Sequence, residues 1–238
     1  MSAAEIRRSS TTAGIALLLL AILSAFGYYV AVQRHVVEHN AVKTAANLAG
    51  SETTFRLGIA ALLIVAALDV VVAWGLFRVF EPVSSSLSML TAWFRLAYAA
   101  IFVVAIAQLA GVLRLLPEVG HAGQNGLPAQ VLSGIHAFVD VWNGGLVLFG
   151  VHLVLLGVLV RKAVYAPTIV GVLLVIAGLG YAVTGFDGVM FPRSATNVAA
   201  YTFVGEVVLI FWLLLRGRRI TPAELDPQSS AAEPAAAA

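Results

Sequence analysis

The sequence predicts an all-α protein, a polytopic bundle of six transmembrane helices with both termini in the cytoplasm. The chain has 238 residues, of which 61% are hydrophobic and only 11% are charged, whereas a soluble domain carries about 25% charged residues. Six apolar stretches are long enough to cross a bilayer, which takes about 20 helical residues. Each stretch must be helical, because an isolated strand would leave its backbone polar groups unpaired in lipid.

The predicted helices follow one another in order along the chain. They comprise residues 12–33, 55–80, 87–112, 131–160, 168–186 and 195–215. The first helix follows Arg7 and Arg8, but its apolar run exceeds the roughly 7–15 residues of a signal peptide, which predicts a retained helix. The fourth helix is long enough to indicate tilt or a break. Residues 1–11 are predicted to be cytoplasmic, and residues 217–238, rich in Ala, Pro and Ser, to form a disordered cytoplasmic tail.

The basic residues predict the orientation. With the N-terminus inside, eight basic residues of the loops and ends fall on the inner side and five on the outer side, which is the bias of the positive-inside rule. The loops at residues 35–54 and 113–130 then face outward. Two halves of three helices would point in opposite directions, which is the parity that an inverted-repeat transporter needs.

Composition excludes several kinds of protein. The chain has no cysteine, so disulfides, thiolate metal sites and thiol nucleophiles are absent. The net charge is only +2 and the basic residues are scattered, which argues against nucleic-acid binding. No phosphate loop, catalytic triad or dinucleotide fingerprint is present. We therefore predict no cofactor, and the expected partners are the lipid bilayer and a small-molecule or lipid ligand; the sequence indicates no oligomeric state.

Four ionisable residues lie inside apolar segments, which is the strongest functional signal in the chain. Asp69, Arg95, His152 and Glu206 lie on four different predicted helices, and we call them the polar layer. Counted from the inner ends of their helices, all four fall roughly 14–18 Å deep at 1.5 Å per residue. In a hydrocarbon core about 30 Å thick, this depth is near the midplane.

The polar layer has two interpretations at this stage. It can be an ion-pair network that fixes helix register, in which Asp69 pairs with Arg95, Glu206 shares the arginine and His152 closes the network. It can also be a midplane binding site or a proton relay, because intramembrane charges usually face a partner or a water-filled cavity. If His152 is neutral, one carboxylate remains without a base. Tyr98 lies close to Arg95 in the sequence and joins the candidate site.

A second polar cluster is predicted on the outer half of the fourth helix. His136, Asp140 and Asn143 recur at i, i+4 and i+7 on one helix face, and Gln108 of the third helix is within reach of them. This cluster has three possible roles: a metal site, a water-lined vestibule or interhelical hydrogen bonding. Because no third ligand of known geometry is present, we predict no metal site.

The chain resembles a known family of membrane proteins in several short motifs. Together they cover roughly residues 12–216. They are Ser51-Glu52-Thr53-Thr54-Phe55-Arg56-Leu57-Gly58, Leu68-Asp69-Val70, Phe94-Arg95-Leu96, Phe149-Gly150-Val151-His152 with Gly157, Gly171-Val172-Leu173-Leu174 through Gly178-Leu179-Gly180-Tyr181, and Gly205-Glu206. These motifs are similar to those of the domain-of-unknown-function 4386 family of bacterial multi-pass membrane proteins.

The resemblance implies a helical membrane protein in the bacterial plasma membrane and implies no particular activity. It adds Arg56 to the candidate site residues, where an interfacial arginine and an anion-recognition residue are the two readings. It matches the polar layer, whereas the His136 cluster matches less clearly.

The sequence leaves three functions open. The first is binding or transport of a small molecule, ion or lipid head group at the polar layer. The second is a membrane-embedded enzyme that acts on a lipid, since carboxylate, histidine and arginine suffice for acid–base chemistry. The third is a structural or sensory subunit whose polar layer only fixes helix packing.

Overall fold

The structure of the chain is a computed structural model that describes residues 2–120, 126–191 and 198–225. Over these residues the chain is helical and has no strand. In chain order its α-helices are α1 (Ala3–Ala25), α2 (Ala41–Ala49), α3 (Glu52–Phe80), α4 (Ser85–Leu115), α5 (Leu127–Lys162), α6 (Thr168–Met190), α7 (Ala199–Thr202), α8 (Val204–Leu215) and α9 (Pro222–Leu225). A π-helix at Phe26–Val30 continues α1.

Six helical spans within the described ranges are long and apolar enough to cross a membrane. The predicted all-α bundle of six spanning helices is therefore confirmed, and the chain is a multi-pass membrane protein. The spans are Ala3–His35, Glu52–Phe80, Ser85–Glu118, Leu127–Lys162, Thr168–Met190 and Ala199–Arg219.

The helix ends differ from the predicted ones where capping residues lie outside the apolar stretches. Helix α1 begins well before residue 12, because Ser2 and Glu5 form a capping box that satisfies free amides of the first turn. Helix α5 runs unbroken from Leu127 to Lys162, so its length comes without the break that was one of the two expectations. The predicted start of the sixth helix at residue 195 lies outside the described residues.

Two short helices lie in segments predicted as a loop and as a disordered tail. Helix α2 lies in the predicted outer loop and packs against α5. It begins at Ala41 after the N-cap residue Asn40, whose side chain accepts a hydrogen bond from the amide of Lys43 at 2.9 Å. Helix α9 follows Thr221 at the start of the predicted tail, whose residues 226–238 lie outside the described part of the chain. Both helices have polar or alanine-rich sequences, so the apolar pattern of a spanning helix did not reveal them.

The six spanning helices form a closed ring. Each packs mainly against two others, in the order α1, α3, α4, α5, α6, α8 and back to α1. The Ser10 hydroxyl on α1 donates to the Leu213 carbonyl at the end of α8 at 3.0 Å, so the beginning of α1 and the end of α8 meet at one end of the ring. We call this the terminal end and the opposite one the distal end.

The exposed apolar side chains form a belt around the ring. On α4 the exposed large apolar residues run from Met89 to Val104, and on α3 from Leu57 to Trp74. At 1.5 Å per residue these stretches span about 23–26 Å, close to the hydrocarbon thickness of a bilayer, about 30 Å. Asp69 and Arg95 both lie within their stretch, so the belt places them at the depth of the lipid tails.

Helices α5 and α6 approach each other through glycines. A Cβ atom added to Gly150 would lie 2.5 Å from the Gly178 carbonyl oxygen, and one added to Gly157 would lie 2.6 Å from that of Gly171. Small residues at such spacing let two membrane helices bring their backbones into contact. This contact fixes α5, which carries His152, against α6.

Candidate functional site

Three members of the polar layer form one continuous network. Arg95 Nη2 lies 2.6 Å from Asp69 Oδ1, which joins α4 to α3. Arg95 Nη1 lies 3.2 Å from His152 Nε2, which joins α4 to α5. Asp69 and Arg95 are 1% exposed and His152 is fully buried. A single arginine thus connects three neighbouring helices of the ring.

The contacts of His152 define its tautomer. Its Nδ1 lies 2.9 Å from the Thr91 carbonyl oxygen, and a carbonyl can only accept, so Nδ1 carries a hydrogen. Its Nε2 faces a guanidinium N–H of Arg95, which can only donate. Nε2 must therefore be the bare, accepting nitrogen, and the imidazole is neutral. The neutral form is the one that both neighbours of His152 require.

Arg95 is held on its apolar side by an aromatic ring and keeps unused hydrogen-bond donors. Its guanidinium carbon lies 5.3 Å from the centre of the Phe149 ring, a distance at which a cation is attracted to the ring face. Arg95 Nε has no hydrogen-bond partner within the described chain. A buried donor without a partner costs about 1–3 kcal/mol. The Arg95 side chain is therefore firmly positioned, but its hydrogen-bonding capacity is not fully used.

Glu206 lies apart from this network. Its carboxyl group shares a hydrogen bond with the Tyr181 hydroxyl of α6, and none of the ion pairs found between described residues includes it. Its interactions with Arg95 and Asp69 are electrostatic only, without a hydrogen bond. The expectation that Glu206 shares Arg95 is thus not seen. The ring of Phe149, which covers Arg95, also contacts Tyr181 edge to face at 5.1 Å between centroids, so it separates the two parts of the polar layer.

Tyr98 lies one turn beyond Arg95 on α4 and belongs to the distal side of the layer. Its hydroxyl oxygen accepts a hydrogen bond from the Trp142 indole N–H at 3.1 Å, and its ring lies 4.7 Å from that of Phe149. Tyr98 therefore links the polar layer to the aromatic side chains above it.

A distal aromatic cluster fills the ring on one side of the polar layer. Its members come from the π-helix after α1, from α4 and from α5, and are Tyr28, Phe102, Phe138 and Trp142. The Tyr28 and Trp142 rings lie 4.8 Å apart although α1 and α5 are not neighbours in the ring, so this contact crosses the interior. Tyr28 lies in the π-helix that continues α1, a local widening that is often found at functional sites.

A terminal aromatic cluster fills the ring on the other side. Phe80 of α3 stacks on Trp212 of α8 at 6.1 Å and on Tyr165 at 6.3 Å. Helices α3 and α8 are not neighbours either, so this stack also crosses the interior. The Tyr165 hydroxyl donates to the Val79 carbonyl at 2.6 Å, and burial raises the pKa of Tyr165 above its usual value. The α5–α6 loop is thereby fastened to the end of α3.

The network leaves little room around it. A narrow crevice between α3, α4 and α5 reaches His152 from the terminal side, with about 180 Å³ of empty volume that includes its open mouth. The crevice has no room for a water-sized sphere. It is lined by Ala73, Leu76, Phe77, Ser88, Thr91, Ala92, His152, Leu156 and Leu159. The polar layer is thus closed from both ends in this state, and this closure weighs against a preformed binding cavity.

Arg56 lies outside the polar layer. It pairs with Glu52 one turn earlier on α3 at 2.5 Å, near the distal end, with 58% of its side chain exposed. This position fits the interfacial reading of Arg56. The structure shows no contact between Arg56 and the layer with which the resemblance had grouped it.

The four residues of the predicted outer cluster are not gathered around one point. His136 and Asp140 are exposed on the distal part of α5, and Gln108 is partly buried on α4. A Cβ atom added to Gly188 would meet the Asn143 side chain, which places Asn143 against α6. Within the described ranges, no group of three histidine or acidic residues is placed to hold a metal ion.

Sequence reasoning missed three side chains that shape the site. Thr91 fixes the tautomer of His152, Phe149 separates Arg95 from Tyr181, and Tyr181 is the partner of Glu206. Helical spacing gave one indication that two of these residues lie near the polar layer. Thr91 precedes Arg95 by four residues and Phe149 precedes His152 by three, so each lies on the same helix face as its neighbour. Neither spacing indicates which group faces the interior.

The fold and the layer define a class: a multi-pass membrane protein whose helical ring closes around buried ionisable residues. The chain belongs to the domain-of-unknown-function family DUF4386, whose model matches residues 12–217. An uncharacterised protein of Archaeoglobus fulgidus is 33% identical over 169 residues, which are 71% of this chain and 89% of that relative. No solved structure matches the chain.

Proposed function

We propose that this protein binds or transports a small molecule, an ion or a lipid head group at the polar layer, and that the structure represents its closed state. The observation that carries the proposal is that aromatic side chains meet across the ring on both sides of the layer. A bundle held together by its ion pairs alone does not need two such closures. A protein that exposes a midplane site to one side at a time does.

Two groups in the layer that lack an oppositely charged or hydrogen-bonding partner of their own support this proposal: within the described chain, Arg95 Nε has no acceptor, and Glu206 pairs with Tyr181 rather than with a cation. Ionisable groups at membrane depth are costly and usually serve an ion or substrate pathway. A purely structural layer would be expected to pair Glu206 with a cation and to give Arg95 Nε an acceptor.

The second candidate is a structural or sensory subunit. The closed chain from Thr91 through His152 and Arg95 to Asp69 favours it, because this chain joins three helices without a cavity. The two candidates differ in what they predict for motion. A structural layer stays closed as long as the protein is folded, whereas a transport site must open.

The test uses the absence of cysteine in the chain, since every introduced thiol is then unique. Ser88 is 2% exposed and lines the crevice below His152. We expect Ser88→Cys in lipid nanodiscs to react with a small cationic thiosulfonate reagent, because nanodiscs leave both ends of the bundle accessible. Mass spectrometry of the intact protein measures the rate.

Two control variants give the labelling rates of a fully accessible thiol and of a fully buried thiol. Arg161→Cys is exposed at the terminal end, and Val72→Cys is fully buried on α3 and does not line the crevice. A rate for Ser88→Cys well above that of Val72→Cys shows that the interior opens without global unfolding. Equal rates for these two variants would overturn the transport proposal and favour the structural subunit.

We further propose that the protein lies in the bacterial plasma membrane with both termini in the cytoplasm. The structure brings the beginning of α1 and the end of α8 to one end of the ring. Exposed basic residues gather at this terminal end, as expected for a cytoplasmic surface. They are Arg7, Arg8, Arg161, Lys162, Arg216, Arg218 and Arg219.

A further inference from the structure

We propose that Glu206 is a proton-binding site and that it holds a proton in the closed state, with Tyr181 as its hydrogen-bond partner. The inference rests on the proposed function, because it takes the polar layer as the functional site. It identifies a proton as one ligand of the polar layer and the Glu206 carboxyl group as the site that binds it.

The charges of the layer balance without Glu206. The contacts of His152 require the neutral imidazole, since Nδ1–H donates to Thr91 and Nε2 accepts from Arg95. Asp69 and Arg95 compensate each other at 2.6 Å. The ionisable groups then sum to zero before Glu206 is counted. An ionised Glu206 would leave one uncompensated negative charge at the depth of the lipid tails, which costs at least a few kcal/mol.

The described residues around Glu206 give it no cation of its own. Helix α8 packs against α6 and α1. From α6, the Tyr181 hydroxyl faces the carboxyl group directly, and from the π-helix that continues α1, Tyr29 interacts electrostatically with Tyr181. Glu206 also interacts electrostatically, without direct contact, with three residues across the interior: Arg95 and Tyr98 of α4 and Asp69 of α3. Within the described chain, the one cation in reach of Glu206 is thus Arg95, and Asp69 already pairs with it.

The oxygen atoms around Glu206 suit a proton better than a metal cation. A small metal cation needs several oxygen ligands at once. The one side-chain oxygen bonded to Glu206 in the described chain is the Tyr181 hydroxyl. A proton needs only the carboxylate oxygen itself and takes no space. The geometry therefore favours a proton, which a hydroxyl neighbour can stabilise as donor or as acceptor.

The exchange reaction is simple and balanced. In the closed state the carboxyl proton sits on a Glu206 oxygen. When the ring opens and water reaches α8, the proton leaves to water as hydronium, and the carboxylate remains with the Tyr181 O–H as its donor. Closing again requires a proton to return from either side, which couples closure to proton uptake.

The test is infrared spectroscopy of the full-length protein in lipid nanodiscs at neutral pH. A protonated carboxylic acid in an apolar site gives a C=O stretching band that carboxylates lack. We expect this band in the wild type and its loss in Glu206→Gln. It should persist in Asp69→Asn and in the exposed control Glu52→Gln.

Tyr181→Phe provides a second variant in case Glu206→Gln does not fold. The carbonyl band should move to higher frequency in Tyr181→Phe, because the hydrogen bond from the hydroxyl is removed. Absence of the band in the wild type overturns the proposal, and so does its loss in Asp69→Asn with retention in Glu206→Gln. The thiol-labelling result is independent: a band without interior opening leaves the proton site standing and removes the transport proposal, whereas opening without a band does the reverse.

Discussion

At the scale of single residues, two carboxylate–arginine pairs in this chain have opposite environments. The Asp69–Arg95 pair is 2% exposed on both sides, whereas the Glu52–Arg56 pair has exposed fractions of 32% and 58%. Removing one partner of a buried pair leaves an uncompensated charge. An exposed pair is screened by water and contributes little. The chain therefore contains its own control for the importance of the buried pair.

We expect Asp69→Asn to lower the free energy of unfolding by about 3–5 kcal/mol and Glu52→Gln to lower it by at most about 1 kcal/mol. Chemical denaturation in detergent, followed by circular dichroism, measures both. The double variant of Asp69→Asn with Arg95→Gln should recover part of the loss, because it no longer buries a lone charge. A double variant as unstable as the sum of the two single ones would contradict this account.

Tyr165 gives a prediction for alkaline pH. Burial raises the pKa of its hydroxyl in the folded state, so the neutral phenol stabilises the fold. This contribution is fully present below the usual tyrosine pKa of about 10 and declines as the pH rises toward the folded-state pKa. We expect wild-type stability to fall above about pH 10 more steeply than that of Tyr165→Phe. Parallel pH profiles of the thermal midpoint for the two proteins would show that Tyr165 has no such role.

At neutral pH, Tyr165→Phe should cost about 1 kcal/mol, because it loses one hydrogen bond and leaves the Val79 carbonyl without this donor. The stacking with Phe80 survives in the variant, since the ring is retained. Thermal denaturation in detergent at neutral pH measures the difference. A loss as large as that of Asp69→Asn would mean that the hydroxyl does more than fasten the loop.

At the scale of elements, the α5–α6 contact depends on glycine at particular positions. A Cβ atom at Gly150 would lie 2.5 Å from a backbone oxygen of α6, which cannot move aside without displacing the helix. A Cβ atom at Gly144 on the same helix meets nothing within 4 Å. The same substitution at these two positions thus isolates the close approach of the two helices.

We expect Gly150→Ala to destabilise the bundle by about 1–3 kcal/mol through overpacking, whereas Gly144→Ala should be neutral or slightly stabilising, since alanine is the better helix former. Thermal denaturation in detergent measures the difference. Equal midpoints for the two variants would mean that the backbones of α5 and α6 are further apart than described.

The spanning helices were predictable from the sequence as elements, and the short helices were not. A stretch of apolar residues in lipid has to be helical, so hydropathy alone locates it. Helix α2 has no such requirement: its buried face consists of Thr44, Ala45 and Leu48, and its contact with α5 holds it. Short helices in water are stabilised mainly by tertiary packing, which a local sequence pattern does not contain.

At the scale of the whole molecule, the closed ring explains why so many aromatic side chains lie inside. Six helices in a ring enclose a centre that their own backbones do not fill. Large side chains from non-neighbouring helices meet there, as Tyr28 meets Trp142 and Phe80 meets Trp212. The polar layer lies between these contacts, so access to it requires a movement of whole helices.

The orientation of the molecule can be checked with reporter fusions. A green fluorescent protein fused after Leu225 should fluoresce in bacterial cells, because the terminal end is proposed to be cytoplasmic and this reporter folds there. Alkaline phosphatase fused after Glu118, at the distal end, should be active only if that end is outside. Activity of phosphatase fused after Leu225 would reverse the proposed orientation.

The sequence by itself determined the all-α class, the six spanning helices and the identity of the ionisable residues within the apolar segments. These features follow from the cost of exposing backbone and charge to lipid, which acts on each segment independently. Only the tertiary structure decided that Arg95 pairs with Asp69 and His152, while Glu206 pairs with Tyr181. Partner choice depends on helix rotation and on the order of helices in the ring. Both are set by contacts between distant segments, such as the glycine approach of α5 and α6, so no local pattern could specify them.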